Sequence, residues 1–254
     1  MTKLEAKNIV KHFSHESHKL TALDGINLKV EAGDFVCLVG PSGCGKSTFL
    51  RIIAGLEKPD EGQIMFDGHP VTETGPERIM VFQEGALFPW LKVQDNVEFG
   101  LKMAGIPKEE RAKISNRYLD MMQLTKFANS YTYQLSTGMK QRVAIARALV
   151  MDPDVLLMDE PFASLDAQTR DLLLVEMQLI WEKTKKTILF VTHNVAEATV
   201  LGTKIAVFSN RPSIIKKEFE NNFPRPRVTE DESLLKLQQD ILAELRPEVK
   251  KSRG

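Results

Sequence analysis

The chain has almost no cysteine. Cys37 and Cys44 are its only two in 254 residues, which excludes a disulfide framework and suits a reducing compartment. It also lacks an excess of charge of either sign, with 34 lysines and arginines against 34 aspartates and glutamates. That balance removes the global attraction that a nucleic acid or an anionic bilayer would need, so no nucleic-acid partner is expected. Long apolar runs are missing as well. The opening "MTKLEAKNIV" has no apolar core of the kind a signal peptide needs. Nothing approaches the roughly 20 residues of a membrane span. "DVLLMD" and "TILFVTH" are short and bounded by charge or polarity, and read as buried strands. The expectation is a soluble protein that reaches a membrane only through a partner. Length and apolar content suffice for one large core or two small ones.

What is present begins with "DFVCLVGPSGCGKSTFLRIIAGL", Asp34 to Leu56. An apolar β-rich run, Phe35 to Val39, enters a glycine-rich loop, and a helical pattern leaves it. The loop fits G-x-x-x-x-G-K-[ST] through Gly40, Gly45, Lys46 and Ser47, with Pro41, Ser42, Gly43 and Cys44 between and Thr48 following. Glycines let successive N–H groups turn inward on a phosphate. Lys46 is expected beside the β and γ phosphates, and the Ser47 hydroxyl on Mg²⁺. Cys44 lies inside the loop, so its alkylation is expected to crowd the phosphate. Such a loop specifies a nucleotide and leaves the reaction open, since kinases, GTPases and motor ATPases share it.

A second constellation lies in "DVLLMDEPFASLDAQTR". Val155 to Met158 read as a strand covered on both faces, ending in Asp159 and Glu160 where open α/β sheets place ligands. Asp159 suits a Mg²⁺ shell, and Glu160 suits orienting and deprotonating a water. Asp166, in "SLD", has the plainer reading of a helix N-cap. His193 ends the strand-like "KTILFVTH", and Gln83 follows the apolar run in "IMVFQEGALF". Each has an ordinary structural explanation when taken alone. "LSTGMKQRVAIARAL", residues 135–149, has Val143, Ile145, Ala146 and Leu149 at helical spacing behind a polar start. Ser136, Thr137 and Gly138 therefore sit where a helix offers unpaired N–H groups to an anion.

The order of phosphate loop, Gln83, polar helix start, acidic pair, SLD and His193 resembles the nucleotide-binding subunit of ATP-binding cassette (ABC) transporters. The likeness runs from about Leu4 to Arg227. It implies an α/β fold with a P-loop NTPase core, an antiparallel β layer and an inserted helical subdomain. It further implies that ATP and Mg²⁺ are bound and that ATP is hydrolysed between two copies closing head to tail. Ser136 and Gly138 then contact the nucleotide held by the opposite copy, and Gly40 to Thr48 form the phosphate loop. Gln83 is the Q-loop residue, Asp159 the metal-site acid, Glu160 the catalytic base, Asp166 the D-loop residue and His193 the switch histidine. Phe13 falls where the family stacks an aromatic on adenine; its alternative is a core or edge-strand residue. The family most often has glycine where Thr137 stands. Its β-carbon restricts the backbone, or its hydroxyl adds a donor, and hydrolysis is expected to survive either way.

"LFPWLKVQDNVEFGLKMAGIPKEER" and "FPRPR" (Phe223 to Arg227) look like the ATPases of nitrate, sulfonate and taurine importers. Importers of thiamine precursors share much of the pattern. The likeness implies membrane permease subunits, an indirect solute-binding protein, and a peripheral position on the cytoplasmic side of the cell membrane. The alternative is a soluble ABC ATPase without transport. One ATPase domain is expected over 1–228, with its helical subdomain at about 87–150 and a C-terminal helix and tail at 229–254. "ALFPWL", with Phe88 and Trp90 as anchors, is the expected wall of the permease groove. "SLLKLQQDILAEL" should form a short amphipathic helix, followed by a mobile "RPEVKKSRG". His12, His15 and His18 cluster without a carboxylate or cysteine to complete a metal pattern, and read as a solvated loop.

Overall fold

The computed structural model describes residues 1–15 and 18–251, with residues 15, 18, 19 and 249–251 described as backbone alone. The chain divides into two units, Met1–Gly75 with Asp171–Gly254, and Pro76–Arg170. Each is built around strands with buried apolar side chains.

The first unit opens with two long strands, β1 (Thr2–His15) and β2 (His18–Glu31), paired antiparallel. With β4 (Glu61–Phe66) and β5 (His69–Pro70) they form a sheet in the order β2-β1-β4-β5. Burial alternates along the strands, taking in Leu4 and Ala6 on β1 and Ile26, Leu28 and Val30 on β2, and a shift of register between Ala6 and Ile9 turns Ile9 inward as well. Strand β3 (Phe35–Val39) is buried along its whole length, as is β8 (Thr187–Thr192). β3 lies parallel to both β8 and β9 (Lys204–Phe208), and β10 (Ile215–Glu220) closes the edge antiparallel to β9. These near-continuous apolar strands are what a parallel sheet covered on both faces requires. Helices α1 (Lys46–Ile53) and α6 (Val195–Leu201) follow β3 and β8.

The last helix, α7 (Glu232–Lys251), buries Leu234, Ile241 and Leu245 as the periodicity predicts. It does not stop at Leu245. The helix runs through Pro247 because buried Glu248 accepts the Asn210 N–H at 2.9 Å and pairs with Lys216 at 3.1 Å. The mobile tail expected from Arg246 is thus helix to Lys251, and Ser252 to Gly254 lie outside the described residues. The side chains of His15 and His18, two thirds of the histidine cluster, also lie outside them.

The second unit holds a parallel pair, β6 (Arg78–Val81) with β7 (Val155–Asp159). Between them run α2 (Val93–Met103), α3 (Lys108–Met121) and α4 (Thr137–Leu149). Helix α5 (Ala167–Thr184) starts in this unit after the loop that follows β7. Met122, Tyr118, Val143, Ile145 and Leu149 are buried among these helices, which fits a core role for the methionine and aromatic positions. Met103 departs from that pattern at 63 % exposure.

Candidate functional site

In the first unit the glycine-rich loop joins β3 to α1. Cys44 N–H bonds the Pro41 carbonyl at 3.3 Å, closing a turn. Gly45 caps α1 at φ 116°, a left-handed backbone in which a side chain would be strained, and a Cβ there would stand 2.8 Å from Leu23 Cδ2. Helix α1 therefore begins at Lys46, with the Lys46, Ser47 and Thr48 amides at its anion-favouring end. Lys46 is 3 % exposed, and its Nζ donates to the Gly40 and Pro41 carbonyls at 2.9 Å each. Ser42 and Gly43 are exposed, Ser47 and Thr48 half-buried. Cys44 is fully buried, its Sγ 3.7 Å from Lys46 Nζ. Its thiol packs the loop, so the alkylation expected to crowd the phosphate requires the loop to open first.

His193 leaves the end of β8 and is exposed. Because Val39 pairs with Thr192 in the parallel register, the phosphate loop and His193 emerge at the same end of neighbouring strands. The turn carrying His193 is fixed from both sides. Thr192 Oγ1 donates to buried Glu197 at 2.6 Å and accepts from Asn194 N–H at 3.0 Å. Asn194 then caps α6 through Ala196 N–H at 2.9 Å. Phe13, paired with Leu20 across the β1–β2 ladder, is 40 % exposed, so it is no core residue. Lys11 Nζ lies 5.6 Å from its ring centre.

In the second unit, Val81 pairs with Met158, so Gln83 and the acidic pair leave the same end of β6 and β7. Asp159 is 6 % exposed. Glu160 is half-buried and held at φ 44°, a left-handed conformation unusual for glutamate. Ser136 caps α4 by accepting the Met139 N–H at 3.3 Å, which leaves its hydroxyl proton for another acceptor. Thr137 is the first helical residue of α4, a backbone that any side chain adopts, so its β-carbon brings no strain. Gly138 is the demanding position of this segment: a Cβ there would meet Thr169 Cγ2 at 2.5 Å. Asp166 accepts the Thr169 N–H at 3.0 Å. That bond, with one from the Thr169 side chain, holds its carboxyl below the ordinary carboxylate range.

Two residues with no motif hold the Gln83 loop. Arg147 on α4 donates to the Gly85 carbonyl at 2.7 Å and the Ala86 carbonyl at 2.8 Å, and its guanidinium lies 5.5 Å from the Phe88 ring centre. Burial lowers its pKa from the ordinary arginine value. Fully buried Asn96 accepts Phe88 N–H at 2.9 Å and donates to the Phe88, Leu91 and Lys92 carbonyls. An arginine on the apolar side of α4 and an asparagine amid apolar α2 positions were the available signals. Behind the loop is a groove of about 380 Å³ lined by Val81, Phe82, Phe88, Phe99, Arg147 and Met151. Phe88, one of the two expected anchors, lines this groove. Trp90 instead lines a separate cavity of about 310 Å³ with Glu98 and Arg111, and is 69 % exposed.

A strand, a glycine-rich turn and a helix that opens on a buried lysine bonded back to the turn's carbonyls define a phosphate-loop nucleotide-binding protein. The ABC transporter family model matches residues 23–163. An uncharacterised ABC transporter ATP-binding protein of Methanocaldococcus jannaschii is 48 % identical over 250 residues, 98 % of this chain and 94 % of that protein. The nitrate import ATP-binding protein NrtD of Synechocystis is 45 % identical over 93 % of this chain and 89 % of its own length. The aliphatic sulfonates import ATP-binding protein SsuB of Bacillus cereus is 43 % identical over 92 % of each. A dimeric ATP-binding cassette in a post-hydrolysis state with ADP and Pi superposes with a TM-score of 0.76 at 33 % identity, covering 87 % of this chain and 100 % of that one. The chain belongs to the ABC transporter family, as an ATP-binding, ATP-hydrolysing member with that family's α/β fold.

Proposed function

We propose that the chain is the energy-coupling subunit of an importer for a small anion of the nitrate or sulfonate class, working as a homodimer with two composite ATP sites. The observation that carries the site reading is the strand register. It delivers the phosphate loop with His193, and Gln83 with the acidic pair, to matching carboxyl ends within each unit. Lys46 and the first α1 amides bind the β and γ phosphates. The Ser47 hydroxyl, Gln83 amide oxygen and Asp159 carboxylate are hard oxygen donors of the kind Mg²⁺ takes. When bound there, Mg²⁺ neutralises charge on the phosphate oxygens. Glu160 orients the attacking water and takes its proton, while His193 steadies the γ-phosphate. The Ser136 hydroxyl and the Gly138 amide donate to the γ-phosphate held by the opposite copy, Asp166 lies beside them, and Phe13 stacks on adenine.

The groove behind the Gln83 loop receives a helix of the membrane permease, with Phe88 as its apolar anchor. No described helix is long and apolar enough to cross a membrane. A peripheral place on the cytoplasmic face follows from permease docking, and a solute-binding protein acts only indirectly. Identity to the nitrate and sulfonate import proteins over nearly the whole chain supports the anion class. The test is uptake of labelled nitrate, an alkanesulfonate, taurine and a thiamine-precursor pyrimidine by cells carrying the wild-type chain or Lys46→Ala. Loss of uptake of one anion, restored by wild type, is the expected result. Loss for the pyrimidine alone moves the substrate class, and loss for none overturns the anion-importer assignment and moves the search to other solutes.

A further inference from the structure

Strand β9 ends against the phosphate loop. A Cβ on Gly40 would stand 2.9 Å from Phe208 Cβ and 3.1 Å from the Phe208 carbonyl oxygen, so the last residue of β9 rests on the loop's first glycine. The turn that follows, residues 209–213, is tied down at both ends. Ser213 donates its N–H to the Ala22 carbonyl at 3.1 Å, and its own carbonyl accepts the Asp24 N–H at 3.0 Å. A further tie comes from α7. Asn210 N–H donates to Glu248 at 2.9 Å, and that carboxylate, 5 % exposed, is paired with Lys216 at 3.1 Å. The Asn210 side chain in turn accepts the Arg211 N–H at 2.9 Å. Backbone held in this way carries one long cation toward the loop. Arg211 is exposed, and its Nη2 lies 3.7 Å from the point that a Cβ on Gly43 would occupy. Its guanidinium has no hydrogen bond or ion pair among the described residues.

We propose that Arg211 is a nucleotide contact: its guanidinium binds the β and γ phosphates of the ATP held in this chain's own phosphate loop, and the end of α7 holds it in place. The proposal rests on the phosphate-loop reading above. A guanidinium without a carboxylate partner is a receptor for an anion, and phosphate is the anion that the adjacent loop is built to receive. Arginine's planar fork suits paired phosphate oxygens in a way that an ammonium does not. The two cations also differ in placement. Lys46 is buried and bonded to the Gly40 and Pro41 carbonyls, whereas Arg211 stands beside exposed Gly43, so they meet the phosphates from different sides. The same contacts give the helix beyond Pro247 a duty. Glu248 fixes Asn210 and Asn210 fixes the Arg211 amide, so a long side chain has less freedom to lose on binding.

The experiment titrates ATP and AMP against the full chain carrying Glu160→Gln to slow hydrolysis, by displacement of a fluorescent ATP analogue at dilutions where the chain is monomeric. Arg211→Ala should weaken ATP binding roughly tenfold, the equilibrium equivalent of a lost charge-assisted hydrogen bond, and should flatten the fall of affinity with salt. AMP, which lacks both of those phosphates, should compete equally well against the two proteins. Arg211→Lys should recover part of the loss, because it keeps the charge and loses the fork. Glu248→Ala should weaken ATP binding less, and should add nothing in the Arg211→Ala background, which separates positioning of Arg211 from a general loosening of the fold. Unchanged ATP affinity in Arg211→Ala, or an equal loss for AMP, overturns the proposal. A further loss in the double variant overturns the part assigned to α7. Lys46→Ala is the control for the site itself: if it leaves ATP affinity unchanged, the phosphate-loop reading falls and the inference with it.

Discussion

Lys46 donates its ammonium to two carbonyls of its own loop, so a phosphate entering the loop meets a charge already aimed at its centre. Lys46→Ala is expected to lower ATP hydrolysis by about 10²- to 10³-fold, read as phosphate release, with the folded state intact by circular dichroism. Glu160→Gln should cost about 10²- to 10⁴-fold in turnover while ATP binding persists, as removal of a general base does. A Glu160→Gln protein with normal turnover would assign the proton transfer elsewhere. Gly138→Ala should lower stability by about 1–3 kcal/mol through overpacking against Thr169, whereas Thr137→Ala, on exposed helical backbone, should stay within about 0.5 kcal/mol. Denaturant titration separates the two. At this scale the phosphate loop was legible because phosphate chemistry dictates residue types at fixed spacing, and the acidic pair because it ends an apolar run. The left-handed backbone of Glu160 was not, since nothing local to the sequence marks it.

Among the elements, α4 does more than present its polar start. Its far end holds the Gln83 loop through Arg147, so one rigid helix connects the Ser136-capped start to the groove behind that loop. Arg147→Ala leaves two carbonyls without a charged donor and should make the 83–90 segment exchange its amides faster, at a cost of about 1.5–3 kcal/mol. Unchanged hydrogen exchange there would show that Asn96 alone fixes the loop. The "FPRPR" segment has a comparable structural duty. Arg227 is 2 % exposed and donates to the Thr199, Gly202, Asn221 and Phe223 carbonyls, pinning the chain to the end of α6. Arg227→Ala should therefore destabilise by about 3 kcal/mol or more, seen as a lowered melting temperature. The strands β3, β7 and β8 and the helices α2 to α4 could be read from periodicity, which burial enforces. The carboxylate contacts that extend α7 past Leu245, and the loop geometry that sends Trp90 into a different cavity from Phe88, depend on partners distant in sequence and leave no local pattern.

For the whole molecule, the chain distributes the chemistry over two units, with the phosphate loop and His193 in one and Gln83, the acidic pair and the α4 start in the other. The order of motifs was readable from the sequence and pointed to the family. The parallel registers that bring chain-distant residues to common strand ends are tertiary facts, visible only once the strands are paired. The proposed function adds a requirement that a single chain cannot meet: the α4 start serves a nucleotide held by another copy. Phosphate release per chain, measured at saturating Mg-ATP over a roughly hundredfold dilution, tests this directly, because assembly-dependent activity follows mass action. For a composite site, the rate per chain falls steadily once the chain is diluted below its dimerisation constant. A rate per chain that stays constant across the dilution would contradict it and assign the reaction to one chain acting alone.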